Sequence, residues 1–178
     1  MSIMPPATKV WWNEKLHTIE AMWIAIALIW CLVLFLWMPY WHIYGDQNLS
    51  NEAYQVTPEA FESKAKAMVD QYTVRKEGSA EIPVVAPPQG SDVYLVGRTW
   101  DWWPILELEK GKSYRMHVSS LDVQHGFSVQ PVNMNMQILP GYETVFTMTP
   151  TQSGEFGVVC NEFCGIGHHA MLGKIYVK

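Results

Sequence analysis

The feature that most constrains this chain is a run of 21 residues, from Ala21 to Trp41, that contains no charged side chain. At about 1.5 Å of helical rise per residue the run would extend roughly 30 Å, which matches the hydrocarbon core of a bilayer. Aromatic residues stand at both of its ends, as they do at membrane interfaces, namely Trp11, Trp12, Trp37, Tyr40, Trp41 and Tyr44. The sequence therefore predicts one transmembrane helix over 19–42, preceded by a short segment over 1–18.

Two other interpretations of this run fit less well. A cleaved signal peptide has a shorter apolar core, followed by small residues at a cleavage site, and this run shows neither. A lipoprotein signal would make Cys31 the lipidated residue, but Ile29 and Trp30 precede it where small residues are needed. Cys31 is therefore interpreted as a small apolar packing residue of a retained helix.

The charges beside the run predict its orientation. Lys9 and Lys15 precede it, whereas the acidic residues Asp46 and Glu52 come before the next cation, Lys64, on the other side. Because the cytoplasmic flanks of membrane helices carry an excess of Lys and Arg, the N-terminal segment is expected in the cytoplasm. The larger C-terminal part is then expected on the outer side of the membrane.

The region that follows is predicted to be a linker over 43–92 that contains one short helix. Thr57 is a good N-cap and Pro58 suits the first helical position, so the helix is expected over about 58–72. Its apolar residues recur at helical spacing, which leaves open whether it contacts the membrane surface, a partner or its own domain. The Pro- and Gly-rich sequence EGSAEIPVVAPPQGSD that comes next is interpreted as an extended arm.

Beyond the linker the sequence changes to short runs of alternating polar and apolar residues. In SYRMHV, for example, Tyr114, Met116 and Val118 share one face of an extended strand. Turn sequences such as EKGK, LPGY and TQSGE separate the runs, which is typical of a Greek-key β-sandwich or barrel. We therefore predict an all-β domain over 93–178. From Asp92 onward the chain holds 8 acidic and 6 basic residues without a basic stripe, which argues against nucleic acid as a partner.

The last part of this domain contains the sequence VVCNEFCGIGHHAML, which crowds sulfur and imidazole side chains together. Cys160 and Cys164 lie four residues apart, and on the outer side of a membrane a disulfide between them is one interpretation. The other is a metal site, because His168 follows Cys164 by four residues and Met171 follows three residues later. Thiolate, imidazole and thioether together suit copper, whereas a zinc site would not need the methionine.

A mononuclear copper site would use only one of the two cysteines. The second thiolate allows a binuclear site instead, in which two sulfurs and two imidazoles bind two copper ions. The second imidazole is expected from His125 in LDVQHGFSV, since this residue stands at the edge of a predicted strand.

The sequence CNEFCGIGHHAM, together with the upstream DVQHGF, resembles the binuclear copper (CuA) domain of haem–copper oxidase subunit II, the cytochrome c oxidase subunit II family. The resemblance covers the predicted domain and extends to the N-terminal anchor, and it implies a cupredoxin-like fold. The single span and the sequence DVQHGFSVQPVNMNMQILPG are more similar to the B-type, ba3-like oxidases. Glu162 is a departure, because B-type chains can carry Gln at this position.

The resemblance implies a set of copper ligands, namely His125, Cys160, Glu162, Cys164, His168 and Met171. The two thiolates would bridge both coppers, and each imidazole would bind one of them. The weak axial ligands would be the thioether of Met171 and the backbone carbonyl of Glu162. The Glu162 carboxylate would also be a candidate ligand of a Mg²⁺ ion at the interface with subunit I.

The implied function is that of an oxidase subunit without a catalytic residue of its own. It would accept electrons from cytochrome c on the outer face of a prokaryotic plasma membrane. It would pass them to haems of subunit I, where O₂ is reduced to water and protons are pumped. Trp100, followed by Trp102, matches the tryptophan that accepts the electron in the family. The alternative is that these indoles fill the core or contact subunit I.

Two other functions are compatible with the sequence. One is the CuA subunit of a nitric oxide reductase, in which the gas chemistry would also belong to another chain. The other is a stand-alone, membrane-anchored copper carrier, which would have no haem-containing partner.

Overall fold

The computed structural model of the chain describes residues 15–45, 52–132 and 134–178. Several residues on which the sequence analysis depended lie outside these ranges, namely Lys9, Trp11, Trp12 and Asp46, together with most of the segment 1–18. The described residues belong to two compact units, an N-terminal one with a single helix and a C-terminal one built mainly of strands.

The N-terminal unit contains helix α1, Thr18–Tyr44, in which no residue is buried. The Glu20 carboxylate accepts a hydrogen bond from the backbone N–H of His17 at 2.9 Å, which satisfies one of the free amides at the start of the helix. At about 1.5 Å per residue its length is roughly 40 Å, enough to cross a bilayer. Within the described part of the chain, α1 is the one helix that is long and apolar enough to be a candidate membrane span.

Within the described ranges of the C-terminal unit, twelve strands form two sheets. The five-stranded sheet contains, in spatial order, β1 (Glu52–Gln55), β10 (Tyr142–Met148), β7 (Tyr114–Ser120), β4 (Asp92–Arg98) and β5 (Asp101–Trp103). The seven-stranded sheet contains, again in spatial order, β2 (Thr73–Glu77), β3 (Ile82–Val85), β6 (Ile105–Leu108), β12 (Leu172–Val177), β11 (Gly154–Cys160), β8 (His125–Gln130) and β9 (Met134–Ile138).

Strands that are distant in sequence lie side by side in both sheets. Strand β7 pairs with β10 and β4, and strand β11 pairs with β8 and β12. This Greek-key arrangement of two packed sheets is a cupredoxin-like β-sandwich, so the predicted fold class is confirmed.

A continuous apolar core lies between the two sheets. Leu95 and Met116 enter it from the five-stranded sheet, and Phe127, Val158 and Ile175 enter it from the seven-stranded sheet. Burying a side chain of this size stabilises a fold by about 1.5–3 kcal/mol. The strands are therefore fixed against one another, and side chains at their ends are held in fixed positions.

Helix α2, Pro58–Tyr72, has the bounds that the sequence predicted. Thr57 caps it, since its Oγ1 accepts a hydrogen bond from the backbone N–H of Ala60 at 3.3 Å. The apolar face of the helix packs on its own domain, where the ring of Phe61 meets that of Tyr94 edge to face at 5.6 Å between centroids. Of the three contacts that the sequence left open, the structure shows the one with its own domain.

The region 43–92 is more than the predicted linker with a short helix. Strands β1, β2 and β3 all belong to the sheets, and β3 pairs in parallel with β6. Val84 and Val85 of β3 are fully buried, but the strand is too short to show alternation and lies in a Pro-rich sequence. The sandwich therefore begins before residue 93, where the sequence analysis had placed its start.

Candidate metal centre

Three neighbouring strands of the seven-stranded sheet have one of their termini at the same end of the sheet. Each of them brings a predicted ligand to that end. His125 is the first residue of β8, Cys160 is the last of β11, and Met171 directly precedes β12. Strand β11 is antiparallel to both of its neighbours, so its end lies beside their beginnings. The loop of residues 161–171 between β11 and β12, called the ligand loop below, carries the other predicted ligands.

The two thiol sulfurs lie at the centre of the site. The Sγ atoms of Cys160 and Cys164 are 3.7 Å apart, and both cysteines are free and buried. A disulfide has an S–S distance near 2.05 Å, so the structure does not show the disulfide alternative. Burial, and then the neighbouring Cys160 thiol, raise the pKa of Cys164 to about 11. A bound cation would therefore be needed to hold Cys164 as a thiolate at neutral pH.

Each sulfur has one imidazole beside it. The Nδ1 atom of His125 lies 3.8 Å from Sγ of Cys160, and the Nδ1 atom of His168 lies 3.7 Å from Sγ of Cys164. His125 is fully buried, whereas His168 stands in a short 3₁₀ turn and is half-buried. The site therefore has one inner and one outer imidazole.

Each sulfur also has a third donor close to it. The backbone carbonyl oxygen of Glu162 lies 3.2 Å from Sγ of Cys160, and the Sδ atom of Met171 lies 3.8 Å from Sγ of Cys164. Met171 is fully buried, and its carbonyl accepts a hydrogen bond from the backbone N–H of Cys160 at 3.2 Å. The structure thus brings together all six residues that were predicted as ligands.

A carboxylate holds the inner imidazole in place. The Nε2 atom of His125 lies 2.8 Å from Oδ1 of Asp122. The same carboxylate accepts a hydrogen bond from the backbone N–H of Val123 at Oδ1 and one from the backbone N–H of Thr99 at Oδ2. Partial burial alone would raise the pKa of Asp122, but the hydrogen bonds from His125, Thr99 and Val123 lower it to about 2. Because the carboxylate is ionised, Nε2 carries the proton and Nδ1 presents its lone pair towards Cys160.

The strand that carries the inner imidazole lies directly against the ligand loop. The backbone N–H of Asn161 donates to the carbonyl of Gly126 at 3.3 Å. A methyl group at Gly126 would overlap the side chains of Asn161 and Glu162. Glycine at this position therefore lets the strand and the loop approach closely enough to share one site.

The two tryptophans that were predicted to accept electrons occupy different environments. Trp100 lies on the ligand loop, 43 % exposed, with its Nε1 atom 3.4 Å from the backbone carbonyl oxygen of Cys164. The indole fits there because residue 167 is glycine, and a methyl group at Gly167 would overlap the ring. Trp102 is only 2 % exposed and lies inside the sandwich. Trp100 alone of the two connects the loop with solvent.

Apolar side chains of the ligand loop are exposed around the site. Phe163 is 82 % and Ile166 is 89 % exposed, and Leu172 at the end of the loop is also exposed. The ring of Phe163 meets that of His168 edge to face, with centroids 5.9 Å apart. Several exposed apolar side chains that lie close together are typical of a surface that binds another protein.

The donor set fits copper. The ligand atoms of His125, Cys160 and Cys164 lie within 4.8 Å of one another, which is close enough to share a metal ion. Two thiols and a thioether are soft donors, and imidazole is a good donor to copper. The fold and this site together define a cupredoxin-like protein with a candidate copper site and a candidate membrane anchor.

Comparison with known proteins narrows this class. A family model described as the periplasmic domain of cytochrome c oxidase subunit II matches residues 104–177. Cytochrome c oxidase subunit 2 of Thermus thermophilus is 36 % identical over 115 residues, which cover 62 % of this chain and 85 % of the relative. A probable cytochrome c oxidase subunit 2 of Streptomyces avermitilis is 37 % identical over 98 residues, covering 51 % of this chain and 31 % of the relative.

A solved structure is also similar to this chain. A chain from a heme-copper terminal oxidase dimer, determined by cryo-electron microscopy, superposes with a TM-score of 0.55 and 25 % identity. The superposition covers 89 % of the present chain and 99 % of the other. The chain belongs to the cytochrome c oxidase subunit II family, as its sequence motif indicated.

The roles of Asp122 and of the glycines at the site were not predicted from the sequence. The position of Asp122 could have indicated its role, because it stands three residues before a predicted histidine ligand. A carboxylate there can accept a hydrogen bond from the ring nitrogen that does not bind the metal. The roles of Gly126 and Gly167 depend on contacts between segments distant in sequence, so no local pattern could have shown them.

Proposed function

We propose that this chain is the electron-accepting subunit II of a terminal haem–copper oxidase and that it holds a binuclear copper centre. Electrons come from cytochrome c on the outer face of the membrane. They leave to haems of subunit I, where O₂ is reduced to water and protons are pumped. The observation that carries the proposal is the paired geometry of the two sulfurs, 3.7 Å apart, each with its own imidazole and its own third donor.

The pairing favours two copper ions over one. A mononuclear site would leave one buried thiol without a role, although Cys160 and Cys164 have equivalent surroundings of one imidazole and one weaker donor. Two metal ions would be held by both thiolates together with the imidazoles of His125 and His168, and the Met171 thioether and the Glu162 carbonyl would be available as weaker ligands. When bound, such a centre would supply a one-electron couple whose charge is spread over two metals and two sulfurs.

The protein holds the ligands in fixed positions and keeps water away from them. His125, Cys160 and Met171 stand at the ends of core strands, and all three are buried. Asp122 fixes the ring of His125 by a hydrogen bond at 2.8 Å. Ligands that cannot shift, in a site from which water is excluded, keep the reorganisation that accompanies electron transfer small.

Trp100 is the residue that we propose as the first acceptor of the electron. Its indole is partly exposed, and its Nε1 atom lies 3.4 Å from the backbone carbonyl of Cys164, one of the two bridging cysteines in this proposal. The ring therefore offers a short path from the surface of the domain to a sulfur ligand. Trp102, the second tryptophan predicted for this role, is buried and is not proposed as the first acceptor.

The electron donor is proposed to dock on apolar surface beside Trp100. Ile166 and Phe163 of the ligand loop are almost fully exposed. The domain has nearly balanced charges, so attraction between opposite charges would contribute little to its encounter with a donor. Contact between apolar surfaces is then the main source of affinity for cytochrome c.

Glu162 is proposed to serve the interface with subunit I as well as the copper centre. Its backbone carbonyl faces Cys160, while its side chain is half-buried and its Oε1 atom accepts a hydrogen bond from Gln137 at 3.3 Å. Among the described residues no hydrogen bond reaches the Oε2 atom. That oxygen supports the proposal of a Mg²⁺ ion shared with subunit I, since Mg²⁺ prefers carboxylate ligands.

Helix α1 is proposed to anchor the subunit in lipid beside subunit I, with its N-terminus in the cytoplasm. The exposed apolar side chains along the whole helix support this. The prevalence of lysine before the helix supports the orientation, which places the copper domain on the outer side of a prokaryotic plasma membrane.

The proposal is tested on the complex purified from its native membranes. Haem-containing subunit I is expected to copurify, and metal analysis is expected to find two coppers in this chain. On anaerobic mixing with reduced cytochrome c, the near-infrared absorbance of the copper centre should bleach before the haems are reduced. Purification of the chain without haem would support a stand-alone copper carrier, and haem reduction ahead of the copper signal would exclude the proposed route.

A further inference from the structure

We propose that Trp102 is a positioning residue for the copper centre, which locks the imidazole of His125 through an edge-to-face contact inside the sandwich. This inference rests on the function proposed above. Trp102 comes from β5 in the five-stranded sheet, whereas His125 begins β8 in the seven-stranded sheet. The indole therefore reaches across the sandwich to the only one of the two imidazole ligands that is fully buried.

The first observation is the contact between the two rings. The rings of Trp102 and His125 meet edge to face, with centroids 6.3 Å apart and an interplanar angle of 61°. The indole also meets the ring of Phe127 edge to face, at 5.6 Å. Aromatic pairs in this geometry attract one another beyond the effect of simple burial. The orientation of the imidazole is therefore coupled to that of the indole.

The second observation is that two glycines make room for the indole. A methyl group at Gly97 would stand 3.2 Å from Cζ3 of Trp102 and 3.5 Å from Cδ2 of His125. A methyl group at Gly173, two residues after Met171, would stand 2.5 Å from Cβ of Trp102. The side chain is thus enclosed between β4 of its own sheet, which contains Gly97, and β12 of the other sheet, which begins directly after Met171.

The third observation is a polar atom without a partner. The Nε1 atom of Trp102 is buried and has no hydrogen-bond partner among the described residues. An unpaired buried N–H costs free energy that a phenylalanine at the same place would avoid. Core packing alone therefore does not explain a tryptophan here. The additional ring of the indole explains the tryptophan, because its Cζ3 edge is the part that lies close to Gly97 and His125.

Trp102 and Asp122 restrict the same imidazole in two ways. Asp122 binds Nε2 of His125 at 2.8 Å and sets which nitrogen carries the proton. Trp102 blocks rotation of the ring and keeps water away from its inner face. Without this wall the ring would turn more freely, and water beside the centre would stabilise its more positively charged, oxidised form.

The test compares Trp102→Phe with Trp103→Phe, both in the full chain in detergent micelles. Trp103 is the matched control, since it is a half-buried tryptophan of the same short strand and is no part of the site. Three quantities are measured: exchange of the His125 Nε2 proton with solvent in the copper-free chain, loss of copper to a chelator, and the midpoint potential. Trp102→Phe should make proton exchange and copper loss about tenfold faster, as expected when the support of a ligand is removed, and should lower the potential.

The control separates positioning from simple packing. Trp103→Phe should leave all three quantities unchanged, even if it changes thermal stability. Unchanged exchange and copper loss in Trp102→Phe, or equal effects of both substitutions, would overturn the inference. Gly173→Ala provides a second variant if Trp102→Phe does not fold. The three atoms nearest to its methyl group, at 2.5, 3.0 and 3.2 Å, all belong to Trp102, so the indole must shift without being removed, and the same directions are expected. Failure of the wild-type chain to bind two coppers would instead contradict the proposed function, while the exchange measurement on copper-free protein stays informative.

Discussion

The Nε2 atom of His125 and the Oδ1 atom of Asp122 lie 2.8 Å apart, so the inner imidazole of the site is held by an ionised carboxylate. Asp122 is itself fixed by the backbone N–H of Thr99 at 2.7 Å. A hydrogen-bonded carboxylate sets both the tautomer and the direction of a histidine ligand. We therefore expect the copper affinity of the proposed site to depend on a residue that is not a ligand.

Asp122→Asn tests this relationship. An amide can still form one hydrogen bond to Nε2, but it lacks the charge that keeps the proton there, so copper affinity should fall about 10- to 100-fold. Competition with a chelator measures the change. Asp101→Asn is the control, because the Asp101 carboxylate pairs with Arg98 at the surface at 3.3 Å and should not affect copper affinity. Equal affinity of Asp122→Asn and the wild-type chain would contradict the assigned role.

Gly167→Ala should move Trp100 without removing a ligand. A methyl group at Gly167 would overlap the Trp100 indole, so the ring must leave its position on the ligand loop. We expect altered tryptophan fluorescence and electron transfer from cytochrome c at least about tenfold slower, with the copper content unchanged. Gly157→Ala is the matched control, since a methyl group there would contact nothing within 4 Å. Normal electron-transfer rates in Gly167→Ala would remove Trp100 from the proposed route.

Glu107 should make stability depend on pH. Its buried carboxylate accepts hydrogen bonds from Lys178 and Arg75, which tie the end of β12 and strand β2 to β6. Burial alone would raise its pKa, but these hydrogen bonds outweigh that effect and lower it. A carboxyl whose pKa is lower in the folded than in the unfolded state stabilises the fold fully above its unfolded pKa. That contribution is lost as the pH falls through the folded pKa.

Glu107→Gln should therefore lower the free energy of unfolding at pH 7 by about 1–3 kcal/mol, the contribution expected of hydrogen bonds to a charged group. The difference from the wild type should shrink as the pH falls below the unfolded pKa, which lies near 4.5. Denaturant unfolding between pH 7 and pH 3 measures it. Glu155→Gln removes an exposed ion pair with Lys174 and should change stability by less than about 1 kcal/mol. A constant difference across the pH range would show that Lys178 and Arg75 do not lower the pKa of Glu107.

The sequence predicted some parts of this structure well because their signals are local. Helix α2 was found with its bounds because Thr57 and Pro58 mark its start. Cys160 and Cys164 were connected with His168 because all three stand within nine consecutive residues of the sequence. The distant His125 was added because it stands at a strand edge, where residues of a sandwich can converge with a loop.

Other parts depend on contacts that no local pattern shows. Strand β3 was predicted as linker because its buried valines follow a proline in a Pro- and Gly-rich sequence, and because β6, one of its two pairing strands, lies about twenty residues away. Trp100 and Trp102 look alike in the sequence, yet one covers the ligand loop and the other is enclosed in the core. Their different environments depend on the space left by Gly167 of the ligand loop and by Gly173 of β12, both of which are distant from the tryptophans in sequence.

The central claim is that two sulfurs hold two copper ions, and electron paramagnetic resonance of the copper-loaded full chain, together with copper analysis, tests it most directly. Two coppers per chain and one unpaired electron coupled equally to both nuclei are expected, with the shared signal lost in Cys160→Ser. One copper per chain, coupling to a single nucleus, or a disulfide between Cys160 and Cys164 in the native protein would contradict the claim.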